Sequence, residues 1–152
     1  MKSYSSIKTS TFLMVFTLIF NSCSNDSDEI IYDLTGNWKV IYFIDNGNKI
    51  TKTKQNTWLD YNNGDITANF TEPQNDGKGE ISGFKVTNGY SAQFEIKANG
   101  KISIGAVFQT FINEPEWTKL YQISQAEYYE VKNSQLLIYY NDKKNVIAFE
   151  KK

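Results

Sequence analysis

The sequence predicts a mostly β protein, a small antiparallel β-barrel-like or highly curved sheet with one α-helix packed near residues 114–125. Three observations predict it. Runs of β-branched and aromatic residues recur from Trp38 onward. Turn signals built on Asn and Gly separate them at spacings of about 8–12 residues, the rhythm of an all-β sandwich or barrel. One segment, after Asn113, carries a helical period instead.

Trp38 to Asp45 is the first strand, and Asn46-Gly47-Asn48 turns it. Lys49 to Leu59 reads as a weaker strand, its lysines suited to a guarded edge. Asn62-Asn63-Gly64 is a tight turn before the strand Ile66 to Phe70, and a polar loop runs from Thr71 to Gly79. Glu80 to Thr87 alternates, with Ile81 and Phe84 or Val86 facing inward. Asn88-Gly89 reads as a hairpin turn, since both residues tolerate positive φ. Tyr90 to Lys97 alternates through Ala92, Phe94 and Ile96. Asn99-Gly100 turns it, and Ile102 to Phe111 is a further strand.

The helix has Asn113 as its cap, Pro115 in its first turn, and Glu114 and Glu116 at its positive end. Trp117, Leu120, Tyr121 and Ser124 share one face, which lies on the sheet or plugs a barrel end. Glu127 to Val131, Gln135 to Tyr140 and Val146 to Glu150 close the domain as a meander.

The chain divides into three parts. Lys2 and Lys8 precede an apolar run from Thr11 to Phe20, the layout of a secretory signal. Ten helical residues cover about 15 Å, half of a bilayer core, so this run is too short to span. Phe20-Asn21-Ser22-Cys23 resembles a bacterial lipoprotein cleavage box. Ser22 and Cys23 fit it, while Phe20 and Asn21 depart from its usual Leu and small residue. The resemblance implies that residues 1–22 are a removed signal peptide and that the Cys23 thiol carries lipid. Stable attachment takes more than one acyl chain. Residues 23–30 form an acidic lipidated tether, with Asp26, Asp28 and Glu29 close to the anchor. Such a stretch resembles the tag that sends some lipoproteins to the cell surface. The expected location is the outer membrane, lipid-anchored and exported. Residues 31–152 are the folded domain.

Composition excludes several chemistries. The 152-residue chain has no His, and all 16 of its basic residues are Lys. A Ser-His-Asp or Cys-His triad and a His-rich zinc site are therefore absent. So is bidentate recognition by a guanidinium fork. Cys23 is the single cysteine, so its acylation leaves no thiol for catalysis or a disulfide. Two of the 16 lysines precede Cys23, which leaves 14 against 17 acids, a net charge near −3 and no footprint for nucleic acid.

Two family resemblances follow from the order of elements. Leu34-Thr35-Gly36-Asn37-Trp38, Ile81-Ser82-Gly83 with Asn88-Gly89-Tyr90, Ile102-Ser103-Ile104-Gly105, and the closing strands Leu136 to Tyr140 and Val146 to Phe149 are collinear with the META or HslJ-like domain. That resemblance implies a non-enzymatic envelope protein in a binding or stress-support role. Thr87 stands where that family often has Cys, so no cysteine-dependent property carries over. Gly36-Asn37-Trp38 also resembles the G-x-W of lipocalin first strands, which implies a barrel carrying a small apolar ligand. Lipocalins place an Arg over that Trp and a helix after the barrel. Here no Arg exists, and the predicted helix precedes three strands.

Trp38, Trp58, Tyr90 and Tyr140 are the candidate ligand-binding residues, with Tyr61 and Tyr139 beside them. Strand filling explains aromatics of this kind more cheaply. Asp60 to Asp65 has the wrong order for a calcium loop. Glu114, Glu116 and Glu127 read as helix-end and surface acids, not as a hydrolytic pair. No catalytic residue, metal site or cofactor is expected. The expected partners are the membrane, through lipid on Cys23, and a small apolar ligand or an envelope protein, with no nucleic acid.

Overall fold

Residues 33–152 are the part of the chain that the computed structural model describes. The predicted signal peptide, Cys23 and the tether lie outside them. The strands are β1 (Gly36–Asp45), β2 (Asn48–Thr51), β3 (Ile66–Phe70), β4 (Lys78–Lys85) and β5 (Asn88–Lys97). They continue as β6 (Lys101–Ile104), β7 (Phe108–Gln109), β8 (Tyr128–Lys132), β9 (Gln135–Tyr140) and β10 (Asn145–Lys151). The helix α1 (Glu116–Lys119) lies between β7 and β8.

Eight strands make a closed antiparallel barrel in the order β1-β3-β4-β5-β6-β8-β9-β10, and β10 returns to β1. Every neighbour in the barrel is the next barrel strand in sequence, so it is an up-and-down barrel. β2 folds back on β1 as an edge hairpin, and β7 adds to β5. A barrel of eight strands has an interior just wide enough for side chains to fill.

β1 carries the closure. One of its flanks pairs with β10 from Trp38 opposite Lys151 to Ile44 opposite Val146. The other pairs with β3 as far as Lys39 and with β2 from Tyr42. The register shifts between Val40 and Tyr42, where Ile41 is the extra residue of a bulge. Inward positions therefore pass from Trp38 and Val40 to Phe43, and the strand bends around the barrel. Phe43, Phe70, Phe94, Leu136, Ile138, Ile147 and Phe149 fill the interior with the larger share of their surface removed from water. On β10 the outward residues Val146 and Ala148 are buried as well. Their cross-strand neighbours Ile44, Tyr42, Tyr139 and Leu137 cover that outer face. The Lys49 ammonium lies 4.0 Å from the Tyr42 ring centre, and Lys143 lies 4.7 Å from that of Tyr128.

Four local features differ from the sequence expectation. The helix is one turn, Glu116–Lys119, followed by a 3-10 turn at Ile123–Gln125. Pro115 precedes it without a side-chain cap, and the Asn113 carbonyl accepts from Thr87 Oγ1 at 3.0 Å instead of opening a helix. Tyr121 and Ile123, not Ser124, face inward with Trp117. The hairpin between β4 and β5 turns at Val86-Thr87, two residues before Asn88-Gly89, with Val86 at φ 62°. The side chain of Asn88 is drawn into the interior, which fixes Asn88 on the strand, and Val86 is buried with it. Phe84 consequently points outward and is exposed. The predicted strand over 49–59 stops at Thr51, because Asn56 Nδ2 donates to the Thr51 carbonyl at 3.0 Å and its Oδ1 accepts from the Thr53 amide. The strand expected over 102–111 is broken into β6 and β7.

The connections 46–65, 86–87, 105–127 and 141–144 lie at one end of the barrel, the mouth. The start of β1, the end of β10 and the turns 71–77, 98–100 and 133–134 lie at the other, the floor.

Gly83 on β4 faces inward, and a Cβ there would sit 2.0 Å from the Thr67 carbonyl oxygen and 3.0 Å from the Tyr90 ring. Backbone cannot yield to that approach as a flexible side chain can. Gly83→Ala should lower stability by about 2 kcal/mol or more, the range of overpacked core sites. Gly105→Ala, whose Cβ would meet only the Gln93 carbonyl at 3.6 Å, should change it by about 0.5 kcal/mol or less. Urea denaturation of both variants measures the contrast, and equal midpoints would contradict the packing described.

Candidate functional site

The floor is built on Trp38. Its indole N–H donates to the Leu34 carbonyl at 2.7 Å, which folds the entering chain under the ring. Lys151, opposite Trp38 on β10, lays its ammonium 4.2 Å from the ring centre and donates to the Thr35 carbonyl at 2.7 Å. The negative face of the indole attracts such a cation. Gly36 makes room for it: φ is +116°, and a Cβ would meet Lys151 Nζ at 3.0 Å. Asp33 completes the corner by accepting from the Thr35 amide at 2.9 Å. That bond, helped by the nearby Lys151 charge, holds the Asp33 carboxyl below the usual aspartate range.

The mouth is plugged by the connection between β7 and β8. Trp117 is buried against Phe43, ring centres 4.6 Å apart and edge-on. Its backbone N–H donates to the Asn56 carbonyl at 2.8 Å, which joins this connection to the one after β1. Its indole N–H is buried with no hydrogen-bond partner. Tyr121 enters beside it and meets Tyr90 and Phe149 edge-on, at 5.5 and 6.3 Å between centres. The Tyr90 and Tyr121 hydroxyls lie 2.5 Å apart, and Tyr90 also donates to the Thr67 carbonyl at 2.9 Å. Burial raises both phenols above the ordinary value. Both are therefore neutral across physiological pH and act as hydrogen-bonding groups, not as bases.

A polar latch holds the plug. Asn88 Nδ2 donates to the Ile112 carbonyl at 2.7 Å and to Glu114 Oε1 at 2.8 Å. Its Oδ1 accepts from the Ile112 amide and from Thr110 Oγ1, so every bonding site of a buried amide is used. Glu114 pairs with Lys85 at 3.1 Å and accepts from Thr118 Oγ1 at 3.2 Å.

Of the four candidate ligand residues, Trp38, Tyr90 and Tyr140 face the interior and are buried. Trp58 is 40 % exposed on the connection after β1, 6.1 Å from the ring of Tyr61. Tyr139 faces outward, its hydroxyl donating to Glu130 at 2.5 Å. Asp65 is paired with Lys52. Among the described residues, no group of three or more Cys, Asp or Glu could hold a metal ion. Lys151 sits 113 residues from Trp38 with no local signal in the sequence, and Asn88, whose residue type suits a turn, lies on β5 instead. No family model, curated protein or solved structure matches this chain.

Two outcomes test this arrangement. Lys151→Ala should lower stability by about 1 kcal/mol while Lys151→Arg keeps most of it, since either cation can lie on the indole. A loss of similar size in both would separate Lys151 from Trp38. The raised phenols predict a second effect. A group whose folded pKa is raised contributes fully below its unfolded value and loses that contribution as pH climbs toward the folded one. Stability should be flat through neutrality and fall above about pH 10, where unfolded tyrosine ionises. In Tyr121→Phe the urea midpoint should depend less on pH between 9 and 11 than in the parent. An unchanged slope would rule out the buried pair as its source.

Proposed function

We propose that this chain is a non-enzymatic binding protein of the bacterial cell envelope, held to the membrane by lipid on Cys23 and built on a lipocalin-like barrel. The observation that carries the reading is the cation on Trp38. Lipocalin first strands have G-x-W with a basic side chain over the indole. Gly36-Asn37-Trp38 with Lys151 reproduces that arrangement with Lys in place of Arg. The uninterrupted order of eight strands supports the same reading. The helix that counted against it is a single turn inside a connection.

The proposed ligand is small and apolar. It would enter at the mouth by moving the segment that carries Trp117 and Tyr121, which now occupy the interior. That segment holds four residues of α-helix and little other regular structure, so its opening breaks few ladder bonds. The described chain enters β1 at the floor, the end of the barrel opposite the mouth.

A second reading has its own support. The interior is filled by the chain's own side chains, as a permanent scaffold or protein-binding module requires. The collinear segments shared with META or HslJ-like domains agree with it.

Mass spectrometry of lipids retained after mild extraction of the full chain separates the two. A stoichiometric apolar molecule supports carriage; an empty protein leaves the scaffold. For the anchor, palmitate labelling and membrane association should both vanish in Cys23→Ala. Persistence of either in that variant would overturn lipid attachment at this residue.

A further inference from the structure

The outside of a barrel is normally convex, yet three depressions lie side by side across β1, β3, β4 and β5. The first, about 400 Å³, is lined by Asn37, Asn69, Ser82, Phe84 and Gly89 among others. The second, about 200 Å³, shares Ser82 and adds Ser91, Gln93 and Phe108. The third, about 440 Å³, shares Glu80 and Gln93 with the second. Shared walls make them one furrow.

The register explains its chemistry. Asn37 lies opposite Asn69, Asn69 opposite Ser82, Ser82 opposite Ser91, and Ser91 opposite Phe108. Residues directly opposite in an antiparallel ladder share a face. Five outward side chains thus stand in one row about 19 Å long, from the strand spacing. Four are uncharged amides or hydroxyls, each able to donate and accept. Asn69 Nδ2 donates to Asn37 Oδ1 at 2.6 Å, which orients both amides. Gly89 beside Phe84 leaves the wall low. Phe84 and Phe108 are 56 % and 73 % exposed, a costly placement for large apolar rings.

We propose that this furrow binds a neutral oligosaccharide. Pyranose rings have an apolar C–H face and a rim of hydroxyls, each both donor and acceptor. The exposed Phe rings match the first property and the amide and hydroxyl row matches the second. The row itself is uncharged; Lys152 lies at one end of the furrow and Glu72, Lys78 and Glu80 at the other, charges of both signs, and with no Arg in the chain this favours a neutral ligand over an anionic one. A peptide strand cannot add in the middle of the row, because β3, β4 and β5 are hydrogen-bonded on both flanks. This site is separate from the barrel interior, so it stands or falls independently of apolar ligand carriage.

The test is calorimetric titration of the full chain in a zwitterionic, sugar-free detergent. The probes are cellohexaose, laminarihexaose, mannohexaose and, as the anionic counterpart, hexagalacturonate. Binding of at least one neutral hexasaccharide is expected. Ser82→Trp, which fills the furrow from an exposed position, should abolish it. Phe84→Ala should weaken it about tenfold, the equivalent of one good contact. Circular dichroism melts check that both variants fold. No binding by any neutral probe, binding of the anionic probe alone, or binding indifferent to both substitutions would each overturn the proposal.

Discussion

The pairing of β1 with β10 turns a curved sheet into a barrel, and most other features depend on it. An eight-stranded sheet left open would expose two long edges and a half-covered apolar face. Closure removes both edges at once. It also sets Val40 against Phe149 and Phe43 against Ile147, so the same ladder that satisfies backbone groups assembles the centre of the core. The bulge at Ile41 lets one strand serve both halves of the barrel. Without the extra residue, the inward phase that starts at Trp38 would put Phe43 outside.

Closure also brings Lys151 to Trp38. Neither residue announces the other in the sequence, and the cation is useful only because Gly36 lets the ammonium approach. This corner is a small arrangement of a glycine, an indole, a lysine and a carbonyl. Its parts come from two strands that are distant in sequence and adjacent in the barrel.

Local chemistry was legible where local forces decide. Ile66 to Phe70, Gln135 to Tyr140 and the alternation of Ala92, Phe94 and Ile96 follow from period-two patterning, and Asn99-Gly100 turns as its residue types require. Reading failed where tertiary bonds outweighed propensity. Asn88-Gly89 has the better turn chemistry, yet Val86-Thr87 makes the turn, because the Asn88 amide satisfies four groups of the plug. The helical period from Trp117 to Ser124 is real but short-lived. Putting Trp117, Tyr121 and Ile123 into one small interior matters more than continuing a helix. Of the candidate site, the interior aromatics were legible as types and not as a constellation, since the barrel alone decides that Trp58 stays outside while Trp117 goes in. The row across β1, β3, β4, β5 and β7 depends on register, which no single strand encodes.

One consequence concerns the order in which this molecule can be built. β10 is the last strand made, so β1 must wait for its partner while all the intervening residues are produced. Such distant contacts slow the search for the native state. The β1–β2 hairpin shortens that exposure, because it needs only the Asn46-Gly47 turn and can form at once. It shields the Tyr42–Asp45 half of the waiting strand on one flank, and leaves the opposite flank as the last seam to be sewn.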